Sequence, residues 1–158
     1  MATRKLKLEI NTREHYRVSP LNTISFKVTN PWFTGNAEIL THPIEEIMAT
    51  KLRALYQRSK GRDLYDFWYV LEHIPELDIA ETIRVFDHYM QKGKTPITRA
   101  QFEQNLMAKK NDMVFNADIT PLLSLKQNQT YSAQSAYSII FNQFSPKLKG
   151  ETWKGLKD

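Results

Sequence analysis

The period of the apolar positions changes once along this chain, near Pro43. Before that point it is two. Leu6, Leu8 and Ile10 alternate with Lys5, Lys7 and Glu9, and Ile24, Phe26 and Val28 alternate with polar neighbours. A period of two places successive side chains on opposite faces of a strand. Strands are therefore expected over 5–10, 23–29 and 36–40, with Pro31, Gly35 and Asn36 providing turn chemistry between the last two. From Pro43 the spacing becomes helical. Over 43–58, Ile44, Ile47, Met48, Leu52 and Leu55 fall on one stripe at about 100° per residue. A second helix is expected to start at Asp63 as its N-cap and to bury Leu64, Phe67, Trp68 and Leu71. Further helices are expected over 79–90, over 99–109 behind a Thr98/Gln101 capping box, over 118–125 after a loop at 111–116, and over 132–144.

This order predicts an α+β fold, in which a small N-terminal sheet of about three strands (1–42) is followed by a helical bundle (43–145) within a single domain over 1–145. The stretch 146–158, rich in lysine and glycine, is expected to be a flexible basic tail. The strand pattern within the first ten residues has few nearby partners, so the chain reads as though it starts in the middle of a fold.

Composition narrows the chemistry. At 158 residues, 41% hydrophobic and 11% aromatic, the chain suits one folded domain with a single core. It has no cysteine, which removes disulfides, thiolate metal sites and thiol nucleophiles. Twenty-two basic against seventeen acidic side chains give a net charge of +5, a balance that favours phosphate-bearing partners. Neither a signal-peptide core nor a membrane-length apolar run is visible, so a cytoplasmic protein is expected. His15, His42, His73 and His88 lack metal-ligand spacing, and there is no phosphate-cradling glycine loop, nucleophile elbow or Ser/His/Asp pattern. Trp32 and Phe33 fall in the expected turn region, where they either stack on a base or pack onto the sheet.

The sharpest local feature is Lys51, which this reading places in the middle of the apolar stripe of the 43–58 helix. A buried ammonium costs several kcal/mol unless it is paired or aimed at an anion; at the rim it snorkels to water instead. Arg58 shares its meridian, and the chain then turns through Ser59, Lys60 and Gly61 into Arg62, Asp63 and Asp66. Cations and carboxylates thus converge on one helix-turn-helix joint. Asp63 reads either as a helix cap or as an active acid, and Asp66 as one half of a surface ion pair. Glu9, on the polar face of its strand, is by itself an ordinary solvent-facing glutamate.

The residues Glu45 to Leu55, then Arg58, then Gly61-Arg62-Asp63-Leu64-Tyr65-Asp66 resemble the C-terminal signature of the AbiEii/AbiGii-type nucleotidyltransferases, a family of type IV toxin-antitoxin and abortive-infection toxins. Lys5 to Asn11 and Trp32 to Gly35 are similar to that family's later strand and connecting segment. The resemblance covers 4–72 well and the remainder loosely, and implies the C-terminal half of a nucleotidyltransferase-like fold. It implies Mg²⁺ and a nucleoside triphosphate as cofactors, neither expected to bind tightly to this chain alone. Lys51 would contact the phosphates and, with Asp63, belong to the catalytic set. Arg58 and Arg62 would support the triphosphate or position Asp63, and Glu9 would be an outlying metal carboxylate. The family's Gly-Gly-(Ser/Thr) element and Asp-x-Asp pair do not occur in the chain. The expectation is therefore a protein inactive alone, whose partners are a nucleotide, RNA, a cognate antitoxin or an upstream polypeptide. The alternative is a non-catalytic nucleic-acid- or protein-binding module.

Overall fold

The computed structural model describes residues 16–155. Two antiparallel strands, β1 (Asn22–Asn30) and β2 (Phe33–Thr41), form a hairpin in which Asn22 faces Thr41 and Asn30 faces Phe33. Its loop is only Pro31-Trp32, and Asn30 Oδ1 accepts from the backbone N–H groups of Trp32 (3.0 Å) and Phe33 (2.9 Å). Gly35, expected in the turn, lies instead within β2 opposite Val28. The Phe33 ring lies over it, filling the space a Cβ there would need. Trp32 packs on nothing and is 90% exposed. The expected strand over 5–10 lies outside the described residues, among which the sheet has two strands.

Among the described residues seven α-helices follow: α1 (Ile44–Gln57), α2 (Gly61–His73), α3 (Ile79–Lys92), α4 (Arg99–Lys110), α5 (Met113–Ala117), α6 (Leu125–Thr130) and α7 (Ala133–Ile139). The architecture is α+β, as the change of period requires. Thr98 and Gln101 cap α4 reciprocally, and Asp78 caps α3 by accepting from Glu81 N–H. The stretch 111–116, expected as a loop, contains α5 because Asp112 Oδ1 accepts from the N–H groups of Val114 and Phe115. The helix expected over 118–125 is a single 3₁₀ turn at Thr120–Leu122, with α6 behind it under its own Ser124/Gln127 capping box. The last helix continues from α7 as a π-helical stretch, Ile140–Phe144.

One core joins these helices. Met48, Leu52 and Leu55 from α1 meet Leu64 and Phe67 from α2, Phe86 and Met90 from α3, Phe102 and Leu106 from α4, and Phe144 from the π-helical stretch. Phe67 meets Phe144 edge to face at 5.1 Å. The hairpin stands apart, with Ile24, Phe26, Ile39 and Phe33 exposed.

Two buried glutamates, neither singled out by periodicity, tie the chain to this core. Glu46 Oε1 and Oε2 accept from Val18 N–H and Ser19 N–H, both at 2.8 Å, and Oε1 also from the Tyr89 hydroxyl at 2.6 Å. His42 Nδ1 is 3.7 Å away. The segments entering and leaving the hairpin therefore meet at one carboxylate. Glu103 does the same for the C-terminal stretch, accepting from Arg99 Nε, Ser145 Oγ, Thr152 Oγ1 and Trp153 N–H. Within residues 146–155, Leu148 is buried in the core cluster, and Arg99 N–H donates to Lys149 O at 2.7 Å. No helix among the described residues is long and apolar enough to cross a membrane.

Candidate functional site

The joint between α1 and α2 is built by a short turn, Arg58 to Lys60, and by a glycine. A Cβ on Gly61 would lie 2.3 Å from the Phe115 carbonyl oxygen, so only glycine lets the start of α2 approach α5 this closely. α2 begins two residues earlier than its expected cap. Asp63 is thus inside the first turn and not its N-cap; its N–H donates to Lys60 O at 3.0 Å, and no side chain caps the helix. Its negative charge still sits at the positive end of the α2 dipole.

That turn sends Asp63 inward, fully buried. Arg58 closes over it as a fork, with Nε to Oδ2 at 2.7 Å and Nη2 to Oδ1 at 2.6 Å. The guanidinium keeps 47% of its side-chain surface exposed. Hydrogen bonding to Asp63 raises the Arg58 pKa above its ordinary value, against the opposing effect of burial. Lys51 does not face Asp63. It pairs with Asp66, Nζ to Oδ2 at 2.8 Å, with side-chain exposures of 38% and 32%. Nor is Lys51 in the middle of the buried stripe. The buried face of α1 runs through Glu46, Met48, Ala49, Leu52 and Leu55, rotated toward Ala49 by packing against α3, and this moves Lys51 to the rim. Asp66 is the surface-pair residue its position suggested. Arg62 is exposed, and Lys60 Nζ is 3.6 Å from Asp118 Oδ1. Lys51, Arg58 and Arg62 thus sit around one solvent-open joint, while Glu9 lies outside the described residues.

Behind the joint lies a residue the sequence reading missed. Lys109 of α4 is buried and donates to the carbonyl oxygens of Leu55 and, at 3.0 Å, of Tyr56, the C-terminal end of α1. An ammonium there satisfies orphan carbonyls and complements the negative end of the α1 dipole. Burial lowers its pKa to about 8, partly countered by the charge of Asp63. Nothing in the local sequence marks it, since Lys109 and Lys110 look alike at a helix end.

The cations fit the phosphates of a nucleotide: they are open to solvent, and the uncapped N-terminus of a thirteen-residue helix lies beside them. The joint does not fit a divalent metal ion. Both Asp63 oxygens are engaged by Arg58, Asp66 is engaged by Lys51, and no group of three or more His, Cys, Asp or Glu suited to a metal occurs among the described residues.

A two-stranded hairpin thus leads into a helical body, with a lysine, two arginines and two aspartates at one helix joint. The sequence model of the family described as "Nucleotidyl transferase AbiEii toxin, Type IV TA system" matches residues 1–138, and the chain belongs to that family. No curated protein and no solved structure matches it.

Proposed function

We propose that this chain is the phosphate-gripping part of an AbiEii-type nucleotidyltransferase, binding a nucleoside triphosphate at the α1–α2 joint without transferring it when alone. The observation that carries this reading is the division of labour at the joint. Asp63 is buried and committed to Arg58, so it acts by fixing that guanidinium, and Lys51, Arg58 and Arg62 are left toward solvent. On this reading Lys51 is released from Asp66 to meet a phosphate, and Arg58 and Arg62 contact the remaining oxygens. Nucleotidyl transfer needs carboxylates that hold Mg²⁺ against the phosphates, and the chain has no Asp-x-Asp pair to provide them. Completion of the site then requires carboxylates from elsewhere, such as Glu9 or an upstream polypeptide. A cognate antitoxin is the regulatory partner that family membership brings.

Calorimetric titration with a nucleoside triphosphate tests this. Binding should weaken about tenfold in Lys51→Met and in Arg62→Ala, the size of one lost charge-assisted contact. Labelled triphosphate, Mg²⁺ and bulk RNA should give no transfer. Unchanged affinity in both variants would remove the phosphate site, and robust transfer that vanishes in Lys51→Ala would refute inactivity.

A further inference from the structure

Four helices meet around the buried Lys109, and each brings it a different partner. From α1 come the carbonyl oxygens of Leu55 and Tyr56, and from α2 the negative charge of Asp63. The Phe115 ring of α5 lies 5.9 Å from Nζ, and Asn116 of the same helix donates to Lys109 O at 3.3 Å, holding the end of α4. Asp112, which caps α5, gives its carboxylate to the N–H groups of Val114 and Phe115. Two consequences for the α1–α2 joint follow. The first is mechanical. Arg58 N–H donates to Ala54 O at 2.9 Å, so with Lys109 on Leu55 and Tyr56 the carbonyls of three consecutive residues ahead of Arg58 are occupied. Arg58 itself leaves the helix in extended backbone (φ −128°, ψ 161°), and its side chain turns back to Asp63. Its place at the joint is therefore fixed from α4 through one ammonium.

The second consequence is electrostatic. The Arg58–Asp63 pair alone is neutral and would hold an incoming anion weakly. Asp63, however, stands between two cations, the half-exposed Arg58 and the buried Lys109, so one positive charge is left in excess. A buried charge is little screened by salt, and its field persists at the surface of the joint. We propose that Lys109 is a positioning residue for the phosphate site at the α1–α2 joint: it holds the end of α1 that carries Arg58 and, as the unbalanced charge behind Asp63, strengthens the grip on a nucleoside triphosphate. The inference rests on the nucleotide reading of the joint and adds to it a residue buried away from the ligand. Burial lowers the Lys109 pKa to about 8, which makes the contribution visible as a pH dependence. A neutral amine still donates to Leu55 and Tyr56, but the excess charge is gone. Affinity for phosphate therefore falls as pH rises through that value. Reciprocally, a bound triphosphate favours the ammonium, so binding takes up protons.

Calorimetry of the full chain with adenosine triphosphate, whose phosphates are ionised above about pH 7.5, tests this. For a coupling of about tenfold, affinity should fall about fivefold between about pH 7.5 and about pH 9.5. Titrations in two buffers of different ionisation enthalpy should show uptake of about half a proton at about pH 8.5. Lys109→Met should bind about five- to tenfold more weakly at about pH 7.5, with neither the pH dependence nor the proton uptake. Lys109→Arg, which keeps its charge, should bind more tightly than the wild type at about pH 9.5, a gain that a damaged fold cannot produce. The wild-type measurements decide the matter even where a variant fails to fold. Triphosphate binding that is weakened in Lys51→Met yet flat with pH would overturn this proposal alone, as would proton uptake that persists in Lys109→Met. Absence of binding by the wild type at the lower pH would overturn the reading of the joint and this proposal with it.

Discussion

Arg58–Asp63 and Lys51–Asp66 tie α2 to the same joint, the first from the turn and the second from α1, yet Asp63 is wholly excluded from solvent while both members of the second pair keep about a third of their side-chain surface in water, 38% and 32%. Three residues along one helix separate the two acids. At about 100° per residue that is enough to carry a carboxylate from the core to the surface. A buried carboxylate must be matched by fixed donors, so the first pair belongs to the architecture. The second can open at little cost, as the proposed function requires of its lysine. The same sequence motif thus supplies one buried pair and one solvent-exposed pair.

The largest effect should come from Arg58→Met, which leaves Asp63 buried with neither of its two contacts. A loss of about 3 to 5 kcal/mol is expected in urea denaturation. Asp63→Asn should cost clearly less, because Arg58, 47% exposed, returns to water when released. Equal losses in the two variants would erase the asymmetry on which the comparison rests.

An intermediate effect concerns Lys109, which lies behind the buried pair and not the open one. The charge facing it is Asp63 of α2, and the Phe115 ring of α5 lies 5.9 Å from its Nζ. Its folded pKa of about 8 is below its ordinary 10.5, so between those values the unfolded chain holds a proton that the folded chain has released. Stability contributed by this group therefore rises with pH across that window. The neutral amine still donates to Leu55 and Tyr56. Urea midpoints at about pH 7.5 and about pH 9.5 should rise in the wild type relative to Lys109→Met. A difference between the two proteins that is constant with pH would contradict the assignment.

The smallest effect is that of Lys51→Met on stability, within about 1 kcal/mol, as for other exposed ion pairs. A drop beyond that in thermal melts would show the second pair to be structural as well.

Much of the fold was legible. The change of period at Pro43, the alternation of Ile24, Phe26 and Val28, the Thr98/Gln101 capping box and the stripe of Leu64, Phe67 and Trp68 all appear where local spacing put them. The clustering of Lys51, Arg58, Arg62, Asp63 and Asp66 at one joint was legible too, because they are sixteen residues of one helix-turn-helix. The partners within it were not: Lys51 meets Asp66 and Arg58 meets Asp63. The three buried charged residues that organise the rest were also invisible. Glu46 reaches Val18 and Tyr89, 28 and 43 residues away; Glu103 reaches Ser145 and Trp153, 42 and 50 away; and Lys109 reaches Leu55, 54 away.

The sequence by itself determined the two hairpin strands and the four long helices α1 to α4, and that charge gathers at the α1–α2 joint, since both depend on spacing within a turn or two of backbone. Only the tertiary structure decided which meridian of α1 turned inward, which acid each cation met, and which distant groups Glu103 and Lys109 reached. Those outcomes depend on a few tens of degrees of helix rotation set by distant partners, above all α3 packing beside Ala49 and Glu103 holding the chain end.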